Sequence, residues 1–211
     1  MDRKQFLTLL SAGALTATGG LPAVFAQGSD AGFRRLKSPA PTIAEAGQVE
    51  VVGFFWFGCP HCYSLEPHLQ AWLNAQDKTV LFRRMHVPFG EVRHQQLYFT
   101  LQSMGKDSEE VLTAVFSAIH LQKKRMRDVK EITETLASKG VDAKVFEDTW
   151  GSFGVRTKMQ QASRLADAYG IDGVPAMGVA GKYLTAPSMA GSNEAAIRVV
   201  NDLVGRERKS A

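Results

Sequence analysis

The chain has 211 residues, 45% hydrophobic and 22% charged, with a net charge of +4 at pH 7. Beyond its first residues no stretch is apolar enough to cross a bilayer as a helix. The basic excess is scattered apart from Lys123-Lys124-Arg125-Met126-Arg127, a cluster expected to end a helix, where cations suit the dipole, so nucleic acid is not an expected partner.

In chain order, Arg3 and Lys4 precede an apolar run from Phe6 to Ala17, and Val24-Phe25-Ala26 places small residues where a signal peptidase reads. Residues 1–26 therefore read as a secretory signal peptide cleaved after Ala26. The run is too short for a membrane anchor, and Thr16, Thr18, Gly19 and Gly20 keep it from extending. Arg3-Lys4-Gln5-Phe6-Leu7 is similar to a twin-arginine signal with Lys4 in the second arginine's place, which leaves the export route open. The remaining chain, Gln27 to Ala211, fits one domain, or one domain with a large insertion, and can bury a real core.

Phe33 to Lys37 is a candidate edge strand. Gln48 to Phe57, rich in β-branched and aromatic residues and apolar on both faces, predicts a buried central strand. Pro60 suits the first turn of a helix, and Cys62, Leu65, Leu69, Trp72 and Leu73 follow at helical spacing, which turns Cys62 inward and leaves Cys59 at an exposed start. Pro67 interrupts that helix and is expected to kink it. With a strand over Thr79 to Val87, the segment forms a right-handed βαβ unit.

From Glu91 to about Phe153 the pattern is wholly helical, with stops at Gly105 and Gly140 and starts at Ser108, Asp128 and Asp142. Asp128 and Glu131 have capping-box spacing, and Val111, Leu112, Val115, Phe116 and Ile119 give a core-facing stripe. The stretch is longer than a connection needs and reads as an inserted helical subdomain. A helix over Thr157 to Tyr169 ends at Gly170, a hairpin joins Met177–Ala180 to Lys182–Thr185 around Gly181, and a last helix spans Glu194 to Arg206.

The two cysteines carry the chemistry. A disulfide closing so small a ring contributes only roughly 2 kcal/mol before strain, in a chain large enough not to need it, so a redox pair explains Cys59 and Cys62 better than a staple. Thiol exchange needs a thiolate, and at a helix N-terminus unpaired N–H groups and the dipole favour one at Cys59. His61 adds a hydrogen bond or a positive charge, and Pro60 adds rigidity, so both tune that sulfur. Stabilising the thiolate stabilises the dithiol over the disulfide, which makes an oxidant.

Other readings are weaker. Half a zinc site lacks further cysteines, and His68, His86, His94 and His120 show no paired-ligand spacing. His68, Trp72 and Phe54 to Phe57 are assigned to packing or the surface. Gly173-Val174-Pro175 enters a strand, where a cis peptide would bring backbone to the active sulfur, although an arbitrary X-Pro bond is usually trans.

Taken together, Cys59-Pro60-His61-Cys62, Gly173-Val174-Pro175-Ala176 and the long helical stretch between them resemble the DsbA family of periplasmic disulfide oxidoreductases. The resemblance implies an α/β chain with a thioredoxin fold and an inserted helical subdomain, divided into 27–90, the insertion at 91–155, and 156–211. It implies that Cys59 is the nucleophile, that Cys62 is its partner, and that Val174 and a cis Pro175 hold substrate backbone. The redox-active disulfide then serves without a cofactor. That the family is a standard case of an acidic thiol and an oxidising pair is part of what the likeness implies.

Expected partners are unfolded exported polypeptides and a DsbB-like, quinone-linked membrane oxidase. The expected setting is a monomer in the periplasm of a Gram-negative bacterium. An isomerase or reductase of the same fold is the alternative enzyme, although this chain shows no spare N-terminal dimerisation segment. A non-catalytic periplasmic chaperone or cytochrome-maturation module is the alternative from another class. One departure stands out: Gly53 occupies a position where the family often carries a buried acid, which leaves Glu50 as a weak substitute for proton relay to Cys62.

Overall fold

A computed structural model of the chain describes residues 32–209, so the expected signal peptide at 1–26 lies outside the described residues. The central strand is β2 (Val49–Phe55), buried along its whole length. Helix α1 (Pro60–Asn74) leads to β3 (Val80–His86), which runs parallel to β2 in a register from Val49↔Val80 to Phe55↔His86. On the other side of β2 lies β4 (Ala176–Val179), then β5 (Tyr183–Thr185), with β1 (Phe33–Arg35) at the edge, each pairing antiparallel with its neighbour. Ala180 and Gly181, with φ of 54° and 65°, are the central residues of the turn from β4 to β5, which the Lys182 N–H closes on the Val179 carbonyl at 2.9 Å.

Between β3 and β4 the chain inserts α2 (Val92–Ser103), α3 (Glu109–His120), α4 (Val129–Leu136), a short 3₁₀ turn, α5 (Ala143–Trp150) and α6 (Phe153–Tyr169). After β5 come α7 (Pro187–Ala190) and α8 (Asn193–Arg208). Val49 and Val51 join Leu65, Leu69 and Trp72 of α1 and Val200 and Leu203 of α8 in one core. Val52 and Phe54 join Leu97, Phe116 and Phe146 of the inserted helices in the other. Period-two alternation divides one strand between two cores, which is why it reads as apolar throughout.

Several local expectations change. Helix α6 begins at Phe153, not Thr157, because the Ser152 hydroxyl accepts the Val155 N–H at 3.2 Å and caps it. The cluster from Lys123 to Arg127 lies in the loop after α3, where Lys123 and Met126 adopt φ of 60° and 51°. Lys123 Nζ still donates to the His120 carbonyl at 2.7 Å, so a cation does cover the helix end. Asp128 accepts from the Lys130 and Glu131 amides, but the Glu131 carboxylate turns to the Met126 N–H at 2.7 Å, leaving half a capping box.

Candidate active site

Cys59 is the N-cap of α1, in extended conformation (φ −84°, ψ 117°), with Pro60 opening the helix behind it. A tight turn delivers it from β2: its N–H donates to the Trp56 carbonyl at 3.0 Å. Gly58 in that turn lies against the Trp56 indole, where any Cβ would fall 2.3 Å from a ring carbon, so no other residue fits without displacing the ring. Cys62 follows inside the first turn of α1, and both thiols are free.

The outer sulfur is less open than its position at a helix start implies. Cys59 keeps only 7% of its surface and Cys62 1%. The cause is the segment before β4: the Val174–Pro175 peptide is cis, and the Val174 carbonyl lies 3.4 Å from Cys59 Sγ. The structure thus brings together Cys59, Cys62, Val174 and Pro175, while His61 stays exposed beside them. A groove of about 560 Å³ runs past them, walled by His61, Val174, Pro175, Leu184, Pro187 and Met189.

The two thiols are held in opposite states. Cys59 is brought down to about 6, chiefly by a hydrogen bond from the Cys62 thiol. Burial opposes this, and the backbone amides of Cys62 and His61 support it, with the charge of His61 the smallest contribution. Burial above all pushes Cys62 up, helped by the hydrogen bond and charge of Cys59 and, last, by the charge of Glu66. The helix-terminus amides expected from sequence are present, but the inner thiol outweighs them, and His61 matters less than its place between the cysteines implies.

Sequence reasoning missed the charged cluster beneath the pair. Glu66, one turn after Cys62, accepts two hydrogen bonds from Arg84 of β3 at 2.9 and 2.8 Å. Arg84 also binds Glu109 at the start of α3 at 2.7 Å, which ties the insertion to the sheet. Burial pushes the Glu66 carboxyl up, and Arg84 counters it. The i, i+4 spacing of Cys62 and Glu66 on an otherwise apolar face was the available signal.

Glu50 does not take the role considered for it. It is fully buried, bound to Arg83 at 2.8 Å and to the Ile43 amide at 3.2 Å, and it alternates with Val49 and Val51, which face α1. Gly53, on the face toward α1, has the Phe82 ring 3.1 Å from where a Cβ would stand. Trp72 is core, while His68 lies 3.4 Å from Glu194. Among the described residues no group of three or more His, Cys, Asp or Glu is placed to hold a metal ion, and no helix is long and apolar enough to cross a membrane.

A parallel βαβ unit extended by an antiparallel hairpin, with two cysteines at the helix start and a cis-proline loop against the outer sulfur, defines a thioredoxin-fold dithiol protein. The family model for the DSBA-like thioredoxin domain matches residues 50–195. The thiol:disulfide interchange protein DsbA of Burkholderia cepacia is 41% identical over 185 residues, covering 87% of this chain and 86% of that one. Its counterpart from Bordetella pertussis (strain Tohama I) is 39% identical over 213 aligned residues, covering 99% of this chain and 100% of its own. The crystal structure of Pseudomonas aeruginosa DsbA superposes with a TM-score of 0.79 at 39% identity, covering 84% of this chain and 93% of that one. The chain belongs to the DSBA-like thioredoxin domain family, and it is a thiol:disulfide oxidoreductase.

Proposed function

We propose that the chain donates its Cys59–Cys62 disulfide to folding exported proteins. A substrate thiolate attacks Cys59 Sγ, a substrate–Cys59 bond forms, and the Cys59–Cys62 bond breaks. Cys62 leaves as a thiolate and takes a proton, because its burial strongly favours the neutral thiol. A second substrate thiolate then attacks the substrate sulfur of the mixed disulfide, and Cys59 departs as a stabilised thiolate. The substrate dithiol is oxidised by two electrons, which the enzyme pair carries away until an external oxidant removes them.

The observation that carries this direction is positional: Cys59 caps α1 while Cys62 is buried behind it, which brings the outer thiol down to about 6 and keeps the inner one protonated. A stabilised thiolate lowers the free energy of the reduced enzyme and makes its disulfide the stronger oxidant. Pro60 and His61 tune that sulfur, and Val174 and Pro175 hold substrate backbone beside it, with the groove past Pro187 and Met189 receiving the rest of an extended segment. The disulfide acts without a further cofactor.

In this reading the chain works as a monomer in the periplasm of a Gram-negative bacterium, reached through a cleaved signal peptide at 1–26. Its partners are unfolded secreted polypeptides with free thiols and a DsbB-like, quinone-linked membrane oxidase. The division into 27–90, 91–155 and 156–211 belongs to the same proposal, although its second boundary falls in the first turn of α6, close to its start at Phe153. The test is catalysed oxidation of a reduced, unfolded secreted protein. Cys59→Ser is expected to abolish it, and normal turnover by that variant overturns the proposal.

A further inference from the structure

The residue two positions before Cys59 is held by two histidines that the chemistry above does not use. His86 Nε2 accepts the Phe57 N–H at 3.2 Å, while its Nδ1 lies 2.9 Å from the Val87 carbonyl. A carbonyl only accepts, so Nδ1 carries the proton and Nε2 is free to receive one. His86 is fully buried, at the end of β3. On the other side His120 Nε2 lies 2.8 Å from the Phe57 carbonyl and must be the donor. His120 is the last residue of α3, stacked on Tyr63 of α1 with ring centroids 5.0 Å apart and planes 5° apart. Both peptide groups of Phe57 are therefore fixed by side chains, one from the sheet and one from the inserted helices.

That residue sits in a turn with little rigidity of its own. Gly58 follows it, with the freest backbone of any residue type, and Cys59 comes next, bonded back to the Trp56 carbonyl. The turn leads into both sulfurs: it carries Cys59 at the N-cap of α1, and Cys62 follows within the first turn of that helix. Whatever aligns Phe57 sets how Cys59 Sγ meets the amides at the start of α1.

We propose that His120 is a positioning residue for disulfide exchange: by donating to the Phe57 carbonyl opposite His86, it lets the helical insertion set the balance between the dithiol and disulfide forms of Cys59 and Cys62. Without that hydrogen bond the turn samples other orientations, the thiolate loses aligned donors, and the protein becomes a weaker oxidant.

The inference rests on Cys59 and Cys62 being the exchanging pair, and equilibration of the purified mature protein with glutathione tests the two separately. His120→Phe keeps an aromatic ring against Tyr63 but has no donor. It is expected to shift the equilibrium toward the disulfide by about threefold to tenfold, the effect of one net hydrogen bond, and to raise the Cys59 thiol in an ultraviolet thiolate titration. His120→Gln keeps an N–H donor and is expected to stay within about twofold of the parent.

Failure of the parent itself to exchange with glutathione removes the oxidase reading. A parent that exchanges and a folded His120→Phe with an unchanged equilibrium overturn this inference alone. Should His120→Phe not fold, imidazole nitrogen NMR of the parent decides. A protonated His120 Nε2 whose signal moves when Cys59 and Cys62 are oxidised supports the assignment, and a redox-insensitive or Nδ1-protonated ring overturns it.

Discussion

Cys59 and Cys62 lie within one turn of the same helix, and their surroundings drive them in opposite directions. Cys59 caps α1, where amides of residues 61 and 62 and the thiol of Cys62 all favour its anion. Cys62 is the more deeply buried of the two, with burial and the neighbouring negative charges of Cys59 and Glu66 favouring its neutral form. The difference is one of position, since the functional groups are identical. Each thiol sharpens the contrast in the other, because the proton that Cys62 keeps is the one it donates to Cys59.

The largest effect comes from removing one sulfur at a time. Cys59→Ser is expected to reduce oxidation of a dithiol peptide to the uncatalysed rate. Cys62→Ser keeps the reactive outer thiolate but cannot release a trapped partner. Mixed with a disulfide-bonded peptide, it is expected to accumulate a Cys59 adduct, seen by mass spectrometry without reductant. Adduct on the Cys59→Ser variant instead would reverse the assigned roles.

Next in size is the charged cluster below Cys62. Arg84→Met leaves Glu66 buried without its partner, and breaking such a pair costs about 3 to 5 kcal/mol. Urea unfolding measures this. The variant also tests the asymmetry of the pair, because Glu66 acts on Cys62 and is not among the groups that shift Cys59. The Cys59 thiolate titration is expected to stay near 6 while stability falls. A large shift of Cys59 would show that the two environments are not separable.

That cluster also marks the limit of what the sequence discloses. Strand β2, the βαβ unit, the hairpin and the cysteine pair are legible because each depends on local periodicity or turn chemistry. The pairing of Glu66 with Arg84 joins a helix to a strand 18 positions away, and no periodicity encodes it. His86 and His120 are less visible still, because their shared partner is the main chain of Phe57, which any residue there would supply. The start of α6 lies four residues before the expected Thr157, because the Ser152 hydroxyl caps it at Phe153, a single side-chain contact that the apolar pattern does not carry. The covering of Cys59 by Val174 depends on contact across 115 positions.

The opposed ionisations also predict how stability of the reduced protein varies with pH. Cys59 ionises at about 6 when folded, below its unfolded value near 8.5, so its contribution is complete above pH ~8.5 and is lost as pH falls through about 6. Cys62 stays protonated when folded, so above pH ~8.5 the unfolded chain releases a proton that the native state retains, and stability declines. A maximum near pH 8 to 9 is expected for this pair, with slopes approaching about 1.4 kcal/mol per pH unit on each side. Chemical denaturation of the reduced protein, compared with Cys59→Ser and Cys62→Ser, tests both limbs: the first variant should lose the acid-side slope, and the second should lose the alkaline decline and confine the acid-side rise to a narrower pH range, because it also removes the thiol that donates to Cys59. His86, held neutral by burial and brought down to about 3, adds a further acid-side loss below pH ~6.5 that both variants share.

The smallest expected effect concerns His61. Its amide and its side chain act on Cys59 separately, and the amide ranks above the charge. His61→Leu keeps the helix terminus, the Cys62 thiol and both amides, and removes only the imidazole. The Cys59 thiol is therefore expected to rise by no more than about one pH unit, or about 1.4 kcal/mol, with a matching decline of up to about tenfold in the glutathione equilibrium. Thiolate absorbance and the exchange equilibrium must move together, since both report the same anion. If the thiol instead rises to the value of free cysteine, the imidazole outweighs the inner thiol and the helix terminus. The contrast between Cys59 and Cys62 would then originate in one side chain, not in the depth at which each sulfur sits.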